Sequence, residues 1–212
     1  MKTNPLQLKK NSKEKGQSFV ELSLVFLVLL VLLVGMVEFG NLLNQYINLV
    51  DGAREGARFG SNDDPYQKGG ITVFYGKIYQ VVQGEFDAFG NQLSKGAINP
   101  IVLDPATDDI VVSVYSVIGN DPTTHNKKAT LIDMGLGGPG SRYGNHESAF
   151  DHTDIERLTE ASAPNTGVLL VEVFYDYHQI LNFFSFGSKP GIIEVSTYSI
   201  MPLSAAEPTP TE

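Results

Sequence analysis

The sequence predicts an α+β protein, in which a long N-terminal helix precedes a small antiparallel sheet. Residues 22–37 form an uncharged run of 16 residues, almost all of them Leu, Val or Phe. Residues 110–118 and 168–178 have the composition and the two-residue alternation of strands, and residues 191–201 are a further candidate. Together these stretches favour one helical segment followed by a sheet domain.

The apolar run is long enough to cross a membrane. With its flanks, residues 19–43 carry charge only at Glu21 and Glu38. A helix that crosses the hydrocarbon core needs about 20 residues, and a single segment can satisfy its backbone in lipid only as a helix. We therefore predict a transmembrane helix with an amphipathic extension over residues 17–60. A cleaved signal peptide is the competing interpretation, although no A-x-A pattern follows the run.

The basic leader, residues 1–16, sets the predicted orientation. It holds five lysines against one glutamate, whereas the first basic residue after the apolar run is Arg54. Because positive charge favours the cytoplasmic side, we expect the N-terminus inside and the rest of the chain outside, in a single pass. The leader is too polar to form a core and is expected to be disordered or cytosolic.

The helical pattern continues beyond the membrane-length segment. Apolar residues recur at steps of three and four over residues 39–57, with polar residues between them. The smallest residues form a thin face on which a sheet could lie closely: Ala53, Gly56, Ala57 and Gly60. Residues 60–65 are rich in helix-ending residues, so the helix is expected to stop there.

Residues 61–203 are expected to form an extracytoplasmic α+β domain. Strands are predicted at residues 97–103, 110–118, 168–178 and 191–201. The second of these is apolar on both faces, which is typical of a central strand. Residues 119–167 are interpreted as a long connection with a short helix at 151–161. Residues 71–93 fit a helix or a strand, and the Pro-rich tail, residues 204–212, is expected to be disordered.

The composition argues against several classes of function. The net charge of −9 argues against nucleic-acid binding, which depends on Lys and Arg contacts with phosphate. The chain has no cysteine, so an exported domain would have to be held together by its core alone. The sequence contains neither a phosphate-binding loop nor a nucleophile elbow.

One polar group in the long connection suggests chemistry: His146, Asp151, His152 and Asp154. Its spacing fits neither a zinc motif nor a calcium loop. We interpret it as a solvated polar loop, and we expect no metal, no cofactor and no catalytic residue.

Three short blocks resemble a known family. The first is Gly16 followed by QSFVE, which ends at Glu21; the second is VEFG at residues 37–40, and the third is AREGAR at residues 53–58. In this order and spacing they resemble the N-terminal signature of TadE-like proteins, the pseudopilin-type components of tight-adherence pilus systems. The first block, behind its basic leader, also resembles a prepilin-peptidase site, in which the cut follows the glycine.

The resemblance implies how the chain is processed and assembled. Prepilin peptidase would cut between Gly16 and Gln17. Glu21 would then meet the new terminal amine of a neighbouring pilin or pseudopilin subunit, as a charge pair in a low dielectric. The other signature residues are Glu38, Gly40, Arg54, Glu55, Gly56, Ala57 and Arg58. We expect Glu38 to be exposed near the outer headgroups, since it lies about 25 Å along the helix from Glu21.

The resemblance also implies partners and a location. The partners are the membrane, the pilus assembly platform and its ATPase, and the location is the cytoplasmic membrane, with association with a surface filament. The outer domain would be pilin-like, and residues 71–93 would be helical. The function implied is non-catalytic pilus assembly.

Two alternatives of other classes remain open. In one, the chain is a single-pass anchored domain that binds an external partner through residues 119–167, which predicts no cut after Gly16 and little effect of Glu21→Ala. In the other, it is an enzyme that uses the His and Asp residues of the long connection, which predicts bound metal.

Overall fold

The computed structural model describes residues 13–63, 71–85, 101–119, 127–132, 139–180 and 190–203, and every structural statement below concerns these residues. The chain divides into two compact units, Met1–Asn41 and Leu42–Glu212. The elements in chain order are α1 (Lys13–Asn62), α2 (Ile71–Val82), β1 (Asp109–Gly119), β2 (Lys127–Leu131), β3 (Gly140–Ser141), α3 (His152–Leu158), β4 (Thr166–His178) and β5 (Ile192–Leu203). The predicted α+β class is confirmed.

Helix α1 combines the predicted membrane helix with its amphipathic extension. It begins at Lys13, so the end of the leader is helical and not disordered, while the cytosolic alternative stays a prediction; residues 1–12 lie outside the described part of the chain. Lys and Glu are good helix formers, which lets the helix extend backwards from the apolar run. The helix ends where its sequence predicts. There the side chains of Ser61 and Asn62 both donate to the carbonyl of Arg58, each at 2.9 Å.

The described strands form one antiparallel sheet in the order β2-β1-β4-β5, and β3 pairs with β1 beside β2. β1 lies between β2 and β4 and is buried on both faces, as predicted for a strand that is apolar on both faces. β5 continues through Pro202 to Leu203, so the predicted end of this strand, at residue 201, is too early. A proline is tolerated there because β5 is an edge strand of the described sheet and needs no outward N–H at that position.

Two predictions about the connections are wrong. Residues 101–103 do not form a strand, although Ile101 and Leu103 are buried in the core; residues 97–100 lie outside the described ranges. The side chain of Asp108 accepts the N–H of Asp104 at 2.7 Å and closes a turn directly after them. The long connection is not only a loop, since it supplies β2 and β3 as well as the predicted short helix, α3.

The sheet carries a different layer on each face. On one face Val112, Leu169 and Val171 pack with residues of α1 and α2. On the other face Tyr115 and Leu170 pack with Ile155 of α3. Adjacent strand residues point to opposite faces, which is why both β1 and β4 carry apolar residues on both faces.

Helix α2 packs against the thin face of α1. A Cβ at Gly56 would collide with the side chain of Val82, and a Cβ at Gly52 would lie 2.7 Å from the Val82 carbonyl oxygen. The sheet approaches this face at Gly60, where a Cβ would lie 2.5 Å from Leu169. The helical alternative for residues 71–93 is thus confirmed for the described part, and the thin face packs on a helix as well as on the sheet.

Helix α3 covers the outer edge of β2. The carboxylate of Glu156 accepts the backbone N–H of Ala129 at 3.0 Å. Asp151 caps the helix, because its side chain accepts the N–H of Asp154 while the Asp154 side chain accepts the N–H of Asp151. This reciprocal capping fixes where the helix begins.

Candidate functional site

The apolar part of α1 is exposed along its length. None of its most apolar 18-residue window is buried. Residues such as Phe19, Leu24 and Met36 expose between 63% and 80% of their surface. A buried core helix would not show this, and a helix of this length and composition is compatible with a single-pass membrane anchor.

The residues of the predicted processing site lie on this exposed helix. Gly16, Gln17 and Glu21 are all exposed, and a Cβ added at Gly16 would meet no other atom within 4 Å. Ser23 donates its hydroxyl to the carbonyl of Phe19 at 2.8 Å, so this polar side chain is satisfied within the helix itself. A hydroxyl that is hydrogen-bonded within its own helix suits a helix in lipid, where unpaired polar groups are costly.

The second signature block differs from the expectation at one residue. Glu38 is only 6% exposed, whereas we expected it to be solvated. That expectation used the rise along the helix, which sets the position of a residue along the axis but not the direction of its side chain. Gly40 is exposed, and a Cβ there would meet nothing within 4 Å.

The third block, residues 53–58, divides into a packed face and a charged face. Ala53 and Ala57 are fully buried, and Gly56 touches α2 as described. Arg54 and Arg58 are exposed, and Arg58 forms an ion pair with Glu55 at 2.9 Å. At a surface position such a pair contributes only tenths of a kcal/mol. The small residues of this block therefore serve packing, and its charged residues face outward.

The exposed apolar run and the packed small-residue face lie in one continuous stretch of sequence. Residues 16–58 match the TadE-like protein family. The match confirms the resemblance that the three blocks suggested and links this TadE-like segment, residues 16–58, to tight-adherence pili and to membrane association. No curated protein and no solved structure gives a significant match to the chain.

The polar residues of the long connection do not converge on one point. His146 is half-buried, with its ring stacked on Phe174 at 4.5 Å between centroids and its Nε2 lying 3.0 Å from the carbonyl oxygen of Thr107. Asp151 and His152 are exposed at the start of α3. Within the described ranges no three His, Asp or Glu side chains are grouped closely enough to hold a metal ion. The interpretation as a solvated loop is wrong for His146, which is fixed to the sheet domain by both contacts.

Two buried carboxylates, which the sequence interpretation did not single out, organise this connection. Asp109, at the start of β1, is fully buried and accepts six hydrogen bonds. The donors are the hydroxyl of Ser141 and the backbone N–H groups of Ile110, Arg142, Tyr143, Asn145 and His146, at 2.6–3.1 Å. Gly144 completes the turn around it with φ at +81°, a conformation that favours glycine.

The environment of Asp109 favours its ionised form. Burial alone would raise the pKa of this carboxyl. The hydrogen bonds from Ser141, Tyr143, His146 and Asn145 outweigh burial and lower the pKa below its usual value of 3.8.

Glu172 is the second buried carboxylate, in the middle of β4 and 2% exposed. Ser148 donates its hydroxyl to Oε2 at 2.5 Å, and Ala149 donates its N–H to Oε1 at 2.9 Å. Burial raises the pKa of Glu172 above its usual 4.5, because these two hydrogen bonds do not offset desolvation. One signal for Glu172 was present in the sequence, since a lone acid stands among the apolar residues of β4.

Proposed function

We propose that this chain is a pseudopilin-like, non-catalytic component of a tight-adherence pilus. The observation that carries the proposal is the coincidence of the TadE-like segment with a helix whose apolar half is exposed. In water each large apolar side chain left exposed forgoes about 1.5–3 kcal/mol of burial energy, so this half of α1 needs lipid or neighbouring helices around it.

The proposed topology has the basic leader in the cytoplasm and the sheet domain outside the cytoplasmic membrane. The asymmetry of lysines around the apolar run supports it. Prepilin peptidase removes residues 1–16 in this proposal. The exposure of Gly16 and Gln17 on α1 supports access of the enzyme to the bond between them.

Glu21 has the assembly role in this proposal. An exposed carboxylate close to the end of an apolar helix is expensive in lipid unless it meets a positive group. Cleavage after Gly16 would create such a group, the terminal amine of Gln17, on each mature subunit. The partners are other pilin or pseudopilin subunits, the assembly platform and its ATPase, and the mature chain primes, caps or joins the filament through α1.

The first experiment is to determine the N-terminal residue of the protein isolated from its native host, by intact mass and terminal peptide sequencing. A chain that begins at Gln17 supports pilin-type processing. A chain that begins at Met1 favours the simple anchor and removes the proposed partner of Glu21, and a start beyond about residue 35 means that the run was a signal peptide.

A second measurement separates assembly from anchoring. Glu21→Gln is expected to lower the amount of surface pili while the protein stays in the membrane fraction. Asp51→Asn, which removes the same charge from an exposed position on the same helix, should leave piliation at the wild-type level. Equal piliation in both variants would contradict the assembly role of Glu21.

A further inference from the structure

A short stretch of the long connection lies between two firmly hydrogen-bonded turns. On its N-terminal side, the Asp109 carboxylate holds the backbone as far as His146. On its C-terminal side, Asp151 and Asp154 form the reciprocal cap of α3. We call the stretch between them, residues 147–150, the flap.

The flap is attached to the sheet mainly through Glu172. Besides the bonds from Ser148 and Ala149 to that carboxylate, the hydroxyl of Tyr115 donates to the carbonyl of Phe150 at 3.1 Å. The ring of Phe150 packs edge-on against Tyr198, with centroids 4.6 Å apart. Two of the three hydrogen bonds therefore end on one ionisable group.

The surroundings of Glu172 supply no opposite charge. Tyr115 on β1 and Tyr198 on β5 flank it, the latter as its cross-strand partner. The long connection contributes His146 and two acids. The Nε2 of His146 lies against the carbonyl oxygen of Thr107. Those acids are Glu147 and Asp151. Across the described ranges no cation is ion-paired or hydrogen-bonded to Glu172, so its ionised form is buried with two hydrogen bonds but without a compensating positive charge.

The flap forms one wall of a cavity of about 870 Å³. Residues of β1 and β2 also line this open cavity, among them Val111, Tyr115, Ala129 and Leu131. Movement of the flap away from the sheet would break its two hydrogen bonds to Glu172 and admit water to this carboxyl.

We propose that the flap is a pH-responsive latch, closed over the Glu172 carboxyl while Glu172 is protonated and loosened when Glu172 ionises, with the Asp109-bound turn as its fixed base. The driving force is desolvation. A neutral carboxyl is tolerated under the closed flap, because one oxygen still accepts the Ala149 N–H and its O–H can donate to the Ser148 hydroxyl, which has the Phe150 carbonyl as its own acceptor. A carboxylate gains hydration when the flap moves away.

The direction of the response follows from proton linkage. Burial raises the pKa of Glu172 in the closed flap, and in the loosened flap this pKa returns toward its usual 4.5. The closed form binds the proton more tightly, so it is favoured at low pH and loses stability as the pH rises through the closed-state pKa. Between the closed and the loosened midpoints, the opening equilibrium grows about tenfold per pH unit.

Hydrogen exchange followed by mass spectrometry on the full chain in detergent micelles tests the latch, from about pH 4 to about pH 8. After correction for the intrinsic exchange rate, protection of peptides covering the flap should fall at least about threefold with rising pH. Peptides covering residues 141–146 should keep their protection over the same range. A flat profile in the flap, or an equal loss in both segments, would overturn the proposal.

Two variants locate the response. Glu172→Gln keeps the shape but not the charge, and it should hold the flap closed at every pH. Glu147→Gln makes the same chemical change on an exposed side chain of the flap and should keep the wild-type profile. If Glu172→Gln does not fold, infrared titration of the carboxyl bands in the wild-type chain, beside Glu147→Gln, replaces it. The infrared band of a buried carboxyl must then titrate at the same pH at which the hydrogen-exchange protection of the flap falls. If the two pH values differ, the latch proposal is wrong.

Discussion

The hydroxyl of Ser141 donates to the buried carboxylate of Asp109 across 2.6 Å, and this bond joins β3 to the first residue of β1. Five backbone N–H groups converge on the same carboxylate. A side chain at the start of the central strand thus determines the path of a turn, residues 141–146, that lies more than 30 residues later in the chain. Several consequences of this and the other contacts can be measured.

Asp109→Asn should lower the free energy of unfolding of the sheet domain by about 3 kcal/mol, because the amide NH₂ would face donors that need an acceptor. Chemical denaturation of the full chain in micelles, followed by a probe in the sheet, measures the loss. Asp51→Asn, at an exposed helix position, should change it by less than about 0.5 kcal/mol. A loss for Asp109→Asn no larger than this would mean that the turn is held by other contacts.

Acid should weaken the same turn. The pKa of Asp109 is lowered by folding, so its ionised form contributes stability that is fully present above the usual value of 3.8 and is lost as the pH falls through the lower, folded-state value. The unfolding midpoint should therefore fall with decreasing pH below about pH 4. The Asp109→Asn variant should lack this part of the pH dependence. An identical acid response in both proteins would mean that Asp109 is not its source.

Gly56→Ala should destabilise the packing of α2 on α1 by about 1–3 kcal/mol, since the added methyl group collides with Val82. Gly40→Ala is the matched control, because it adds the same methyl group to the same helix where nothing lies within 4 Å. The unfolding midpoint of the sheet domain should drop for the first variant only. Adding Val82→Ala to Gly56→Ala should restore part of the lost unfolding midpoint. If it does not, the collision with Val82 is not the cause of the loss.

The proposed orientation can be tested because the chain has no native cysteine. A single cysteine in place of Glu160, an exposed residue after α3, should react with a membrane-impermeant maleimide on spheroplasts that lack the outer cell-wall barrier. A single cysteine in place of Thr3, examined in cells without prepilin peptidase, should react only after permeabilisation. The reverse pattern would place the sheet domain in the cytoplasm.

Long periodic patterns predicted the elements that the structure confirms. α1 is specified by an apolar run and by a helical repeat that continues beyond the end of that run. β1 and β4 are specified by alternation over nine or more residues. β2 and β3 were missed because they are five and two residues long. Strands this short have no detectable period, and their pairing depends on β1 being in place.

Individual side chains were harder to predict than elements. The sequence DPATDD reads as a turn, but nothing local indicates that its last acid, Asp109, is buried and accepts hydrogen bonds from residues 141–146. Glu38 shows the same difficulty, since position along a helix does not determine which way a residue faces. Gly56 and Ala57 stand out both as part of the small-residue face and by the family resemblance, and the contacts made by Gly56 explain why a small residue suits that position.

The contact between Glu156 and Ala129 has a consequence for behaviour at high local concentration. Protein chains gathered in a membrane or a fibre risk joining sheet to sheet, because the bare backbone of an edge strand accepts a strand from a neighbour. Along β2, α3 covers the edge and its carboxylate occupies an N–H that such a neighbour would use, and near the end of β5, Pro202 has no N–H to offer. These two features leave fewer free backbone groups at the edges of the described sheet with which a neighbouring strand could pair.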